Sequence, residues 1–305
     1  MFSSYGFILN NNFNPSTHLN RYQCNRKEMQ IVSSTLSPIG SPFFCKTDTG
    51  LGNALFQIAS IYGISKKLGV RCAFPRLKLY LDALHSLHYN HGETILRNVP
   101  SWGDDISFDI LTEQFLGDGI EYNKRYNEGL VKLIQNSQNN VMVRGHLEDF
   151  KYFEDVFEDV REMFSCDPLT RAKIDERYGE LLTGNSVAIH FRDYSKVDNP
   201  LLAIVPDFYK RAIQYIKERV DSPHFLVFTD NRGCVDLSIL DGCTYTFIEN
   251  EVDYMDLYCM SLCKHAIISQ STFSWWACFL NANPDKIVLY DSKYPYNYLK
   301  MFTCI

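Results

Sequence analysis

The sequence has no apolar run near the ~20 residues that span a bilayer. Its opening, MFSSYGFILNNNFNPSTH, lacks the basic region and small-residue cleavage site of a secretory signal. Both absences lead to the expectation of a cytosolic chain with no transmembrane segment. Basic charge is not in excess either. A formal net charge of -6 leaves no electrostatic footprint for nucleic acid or a bilayer. The ten cysteines contain no CxxC pair and no framework spacing, so reduced thiols are expected. GxxxxGKS/T is missing, which excludes a P-loop kinase or ATPase. No strict Asp-x-Asp occurs, Glu251-x-Asp253 being the nearest approach, and no metal site is expected.

What is present is an ordinary globular composition, 46% hydrophobic and 22% charged, in 305 residues, enough for two medium domains. Residues 1–40, rich in Asn and Ser with little periodicity, read as an irregular N-terminal arm. NALFQIASIYGISKKL (53–68) is apolar on nearly all sides and predicts a largely buried helix closed by Gly69. VRCAF and NVMVRG read as strands and EDFKYFEDVFEDVREMF as a helix, while Leu77 to Lys132 shows no clear order. Asp167-Pro168 supplies an N-cap and first-turn pair for a helix running to Gly184. Strand and helix patterns then alternate: SVAIHF, PDFYKRAIQYIKERV, HFLVFTD, RGCVDLSIL, TYTFIE, YMDLYCMSLC, HAIISQ, FSWWACFLNA and KIVLY. That alternation, over about 105 residues, implies a parallel sheet covered on both faces.

Such sheets bind ligands beyond the carboxyl ends of their strands, which points to Arg192–Tyr194, Asp230–Asn231, Glu249–Asn250 and Ser269–Thr272. IHFRDY places His190 and Arg192 on one side of a strand end, and the arginine fork fits phosphate oxygens. FTDN ends the next strand with Asp230, whose carboxylate suits a base edge or a ribose. In SQSTFSWW, Ser271 or Thr272 caps a helix beginning near Phe273. The free N–H groups and partial positive charge of a helix start bind anions. A cation, a helix start and a carboxylate at neighbouring strand ends suit a nucleotide diphosphate. Trp275 and Trp276 read as core, as do Cys259 and Cys263, one helical turn apart. TGLGNALFQ sets Gly50 and Gly52 ahead of the first buried helix, where glycine lets a ligand approach the backbone. Asn53 there either donates to a phosphate or caps the helix. His85, His88 and His91, in HSLHYNH, read as surface or acceptor-side residues rather than metal ligands.

TGLGNALFQIA, RGHLEDFKYF, IHFRDY, FLVFTDN and DLYCMSLCKHAIISQSTFSWWACFLN together resemble glycosyltransferase family 11, the alpha-1,2-fucosyltransferases. The likeness covers about residues 45–291, and its last block is long and nearly continuous. The resemblance implies an α/β, GT-B-like architecture of two Rossmann-like halves with parallel sheets and a cleft between them. An acceptor-side domain then occupies 41–165 and a nucleotide-sugar-binding domain 166–305. It further implies an inverting, metal-independent fucosyltransferase with GDP-fucose as donor substrate, a glycan or oligosaccharide acceptor, and no cofactor. Carried over by the resemblance, the donor-binding residues are His190, Arg192, Ser271, Thr272, Phe273, Gly52 and Asn53, with Asp230 on the guanosine. Arg192, Asp193 and Asn53 are the expected catalytic residues.

The chain departs from the family pattern in places. Where the family reads HxRRGDY, it reads His190-Phe191-Arg192-Asp193-Tyr194, so one phosphate-binding cation is missing, with Lys196 or Arg232 as replacements. The family's first-motif Gln is Ala54, and its second-motif Gln is Glu148. A base must take the acceptor's proton, and Asp193, Glu148, Asp149 and His146 all qualify. The alternative reading is a non-catalytic or differently specific GDP-sugar-binding protein of the same fold.

Overall fold

A computed structural model describes residues 30–34, 36, 50–75, 77, 81, 90–101, 105–112, 126–194, 204–249, 252–293 and 297–305. In the first half, β1 (Ile31–Ser34) leads to α1 (Leu51–Leu68), β2 (Arg71–Cys72) and β3 (Asp109–Thr112). Helix α2 (Glu128–Asn136), β4 (Val141–Arg144) and α3 (Phe157–Met163) follow. These strands form a parallel sheet in the order β2-β1-β4-β3.

The second half begins with α4 (Pro168–Thr183), then β5 (Ser186–Phe191), α5 (Pro206–Lys217), β6 (His224–Thr229) and β7 (Thr244–Phe247). It continues through α6 (Asp253–Leu262), β8 (His265–Ile267), α7 (Thr272–Leu280), β9 (Val288–Tyr290) and β10 (Thr303–Cys304). Its sheet is also parallel, in the order β7-β6-β5-β8-β9-β10. Numbered along the chain that is 3-2-1-4-5-6, the dinucleotide-binding order, and strand order reverses between β5 and β8.

Local chemistry explains the elements. Asp167 Oδ1 accepts the N–H groups of Leu169 and Thr170 at 3.1 and 3.0 Å, starting α4 as its sequence suggests. Gly69, at φ 66°, closes α1 in the left-handed conformation that glycine adopts freely. Gly63 answers a different need: a Cβ there would lie 2.2 Å from the Tyr152 carbonyl oxygen, so α1 sits directly on the 150–153 backbone.

One hydrophobic cluster runs from Val32 and Val143 of the first sheet, through α1 and α7, to Ala188 and Ala266 of the second. At its centre the Phe56 ring lies 4.7 Å from Trp275 and 5.1 Å from Trp276, and Phe153 stacks on Trp276 at 5.8 Å. Both tryptophans are fully buried, and Cys259 and Cys263 are core residues. A separate cluster fills the other face of the second sheet beneath α5. Among the described residues no helix is long and apolar enough to cross a membrane.

Three expectations need correction. The supposed arm over 1–40 includes β1, fully buried between β2 and β4. EDFKYFEDVFEDVREMF is not one helix: two 3-10 turns, Phe150–Tyr152 and Glu154–Val156, precede α3. RGCVDLSIL likewise folds as two 3-10 turns.

Candidate active site

The carboxyl ends of β5 and β8 lie side by side, Ile189 pairing with Ile267, and the residues beyond them meet. His190 Nδ1 is 3.0 Å from Ser269 Oγ, which also accepts the Ser271 N–H at 3.3 Å. Burial and the nearby Arg192 charge push the His190 pKa down to about 3. His190 is therefore a neutral hydrogen-bonding group at neutral pH and not a second cation. Ser271 is the cap of α7, its Oγ accepting the Phe273 N–H at 3.2 Å. The Phe273 ring stands 5.9 Å from the His190 ring.

The start of α1, from the other half, arrives at the same place. Thr272 Oγ1 donates to Asn53 Oδ1 at 2.6 Å. A Cβ on Gly52 would lie 2.6 Å from the Phe273 nitrogen and 2.7 Å from Thr272 Oγ1. Gly52, expected to let a ligand approach, makes room here for the backbone of α7. Asn53 is not the cap of α1 either, since Gly50 occupies that position. Two helix N-termini converge here, and each contributes partial positive charge and backbone N–H donors.

On the β6 side of β5, Arg192 Nη1 is ion-paired with Asp230 Oδ2. Asp230 Oδ1 accepts the Asp193 N–H at 2.9 Å, and Asp193 Oδ2 accepts from Asn231 Nδ2 at 2.9 Å. The guanidinium also lies 5.7 Å from the Tyr194 ring centre. Sequence order put Arg192 and Asp230 at adjacent strand ends; it did not show them engaging each other. Arg232, a candidate for the missing cation, pairs with Glu249 at 3.1 Å and covers the Phe247 ring at 4.2 Å, at the β7 edge. Lys196, His85, His88, Asn250 and Glu251 lie outside the described residues. His91 is no surface residue: it is fully buried, with Nε2 2.6 Å from Asp253 Oδ1. Among the described residues no three His, Cys, Asp or Glu side chains gather into a possible metal site.

The first sheet contributes a second group. Ser34, ending β1, donates to Gln57 Oε1 of α1 at 2.6 Å, a buried contact with no sequence signal. Beyond β4, Leu147 adopts φ 51°, and its carbonyl accepts from Ser60 Oγ at 2.9 Å. Around that reversal His146 Nδ1 stands 3.3 Å from Glu148 Oε1, the Glu148 side chain being fully buried. Asp149 is committed to structure: its oxygens accept the N–H groups of Tyr126 and Lys151 at 2.7 and 3.0 Å.

Comparison with known proteins bears on what this arrangement is for. The chain is 26% identical over 287 residues to the O-antigen biosynthesis glycosyltransferase WbnK of Escherichia coli, across 80% of this chain and 92% of that protein. It is 28% identical over 170 residues to an alpha-1,2-colitosyltransferase of the same organism, across 52% and 56%. Among solved structures, fucosyltransferase NodZ from Bradyrhizobium matches with a TM-score of 0.50 at 16% identity, over 82% of this chain and 92% of that one. FUT1 of Arabidopsis thaliana, as a mutant in complex with GDP, matches at 0.51 and 16%, over 86% and 70%. The fold is of the GT-B type. The family model "Glycosyl transferase family 11" matches residues 131–299, more than half of the sequence, and the chain belongs to that family of glycosyltransferases.

Proposed function

We propose that this protein is an inverting, metal-independent fucosyltransferase that moves L-fucose from GDP-fucose to a glycan hydroxyl in alpha-1,2 linkage. The observation that carries the proposal is the meeting of the α1 and α7 N-termini, through Asn53 and Thr272, beside the strand-order reversal at β5 and β8. A diphosphate seated there faces two sets of helix N–H groups, the neutral His190 and the Arg192 guanidinium. Those fixed dipoles and that charge take the part a bound cation plays elsewhere in stabilising the leaving group. Asp230 holds Arg192 in place and keeps lone pairs for the N–H edge of guanine. The first-sheet half holds the acceptor, and attack occurs opposite the departing GDP. No cofactor takes part.

A second reading is favoured by the colitosyltransferase likeness: the same nucleotide site with a different sugar in the donor. Calorimetry with GDP, UDP and ADP, followed by transfer assays with GDP-fucose and GDP-colitose in excess chelator, tests both. Tight GDP binding with weak UDP and ADP binding, and transfer that survives EDTA, is the expected result. Equal affinity for the three nucleotides overturns the guanine assignment. Loss of transfer in EDTA, restored by Mg²⁺, overturns the leaving-group arrangement. Transfer from GDP-colitose alone selects the second reading.

A further inference from the structure

The strand-end site lies at the carboxyl edge of the second sheet, and a separate cavity lies at the opposite edge. We propose that this cavity is a second binding site, for an amphipathic anion: an apolar body carrying one phosphate or carboxylate head. Its volume is about 470 Å³, within the range of small-molecule sites. Val288 and Thr303, the first residues of β9 and β10, line it, so it sits at the amino ends of those strands. The last turn of α7 lines it as well. Phe279 there is seven residues beyond Thr272, about 10 Å along the helix from the strand-end site.

The wall is largely apolar. Phe157 of α3 and Phe279 meet edge to face at 5.2 Å, and the half-buried Met301 and Phe302 join them. Among the described residues lining the cavity, the charged ones are Arg161 and Lys286, both cationic. Capping α7 explains part of their placement, because the carbonyl end of a helix is partially negative. Arg161 Nε donates to the Phe279 carbonyl at 3.2 Å, and Lys286 Nζ donates to the Asn281 carbonyl at 2.5 Å. Capping takes one hydrogen bond from each and leaves donors over.

The Arg161 guanidinium is held in orientation, 4.7 Å from the Phe279 ring centre and paired through Nη1 with the exposed Glu158. Its Nη2 bonds to no atom among the described residues. An ammonium has three donors, and Lys286 meets no carboxylate among the described residues. Burial lowers the Lys286 pKa, and the Arg161 charge lowers it further. Cys278, which also lines the cavity, supplies no counter-charge, since burial pushes its thiol up to about 12. A partly desolvated charge without a counter-charge is costly. An anion between Arg161 Nη2 and Lys286 Nζ relieves that cost, while the rest of the ligand covers the rings. A nucleobase would set its polar edges against Phe157, Met301 and Phe302 and leave them unsatisfied, so the body is hydrocarbon.

The test uses octyl phosphate and octanoate as probes. Octyl glucoside, with the same chain and no charge, and inorganic phosphate, with the head alone, are the controls. Calorimetry below the micelle concentration measures each on the parent, Lys286→Gln and Arg161→Gln, with and without GDP. At least one anionic probe is expected to bind about tenfold or more tightly than either control, the tighter of the two identifying the head group. Each substitution is expected to weaken that binding about tenfold, and GDP to leave it unchanged within about threefold. Glutamine at 286 keeps an N–H for the Asn281 carbonyl, so that variant retains the end of α7. Should Arg161→Gln fail to fold, Lys286→Gln and the parent's preference for charge still decide. Octyl glucoside binding as tightly as both anionic probes overturns the anion assignment, as does no binding of either. Binding unmoved by Lys286→Gln, or abolished by GDP, overturns the location.

Discussion

Gly52→Ala is the sharpest single perturbation of the place where the two halves meet. The added Cβ falls 2.6 Å from the Phe273 nitrogen and 2.7 Å from the Thr272 carbonyl carbon. Ordinary contact begins near 3.4 Å, so α1 and α7 must separate by about 0.8 Å, and neither obstacle is a flexible side chain. The Asn53–Thr272 hydrogen bond, now 2.6 Å, then stretches to about 3.4 Å, past the roughly 2.5–3.0 Å usual for an O–H···O bond. Overpacking of this kind costs about 1–3 kcal/mol, and alanine's better helix propensity returns up to about 1 kcal/mol. Net destabilisation is about 1–2 kcal/mol, a fall in Tm of a few degrees. Activity should suffer more, because a 1 Å displacement of positioning groups costs on the order of 10²-fold in rate. Gly50→Ala is the control: nothing lies within 4 Å of its Cβ, and its φ of −58° suits any residue. Thermal unfolding and initial rates, measured on both variants, check the reasoning. If Gly52→Ala matches Gly50→Ala in rate to within threefold, the α1–α7 contact does not align the reacting groups.

Arg192→Ala is expected to lower kcat by about 10²–10³-fold with a smaller change in KM, and Arg192→Lys to recover little; a loss below threefold assigns the charge to the helix starts alone. His190 gives a pH signature. Its folded pKa of about 3 lies below the unfolded value near 6.5, so the unfolded chain binds the extra proton and acidification through that window destabilises the fold. The slope attributable to this residue is about 1.4 kcal/mol per pH unit between pH 6 and 4, read as the difference between the parent and His190→Gln in denaturant unfolding. Parallel stability profiles for the two would show that His190 protonates freely in the folded state.

The second half was legible because its central strands, covered on both faces, read as short apolar runs, as SVAIHF and HFLVFT do. The Ser271 cap and the Asp167-Pro168 start were legible because caps are local chemistry. The first half was harder. Strand β1 spans four residues and β2 two, too short for a period to show, and β1 follows a polar stretch that hides it. The partnerships in the site were the least readable. Asn53 and Thr272 are 219 residues apart, and nothing in TGLGN says that its second glycine faces another helix rather than a ligand. Arg192 and Asp230 were each visible as strand-end residues, while their mutual ion pair depends on the β5–β6 register.

The aromatic cluster under the site has a mechanical consequence. Phe56 of α1 and Phe153 touch Trp275 and Trp276 of α7 directly, so a clamshell opening of the two halves would pull both indoles into water. Burial of such rings is worth several kcal/mol, which holds the two halves against each other. The same cluster makes the halves a single cooperative unit, and tryptophan fluorescence should report one unfolding transition rather than two.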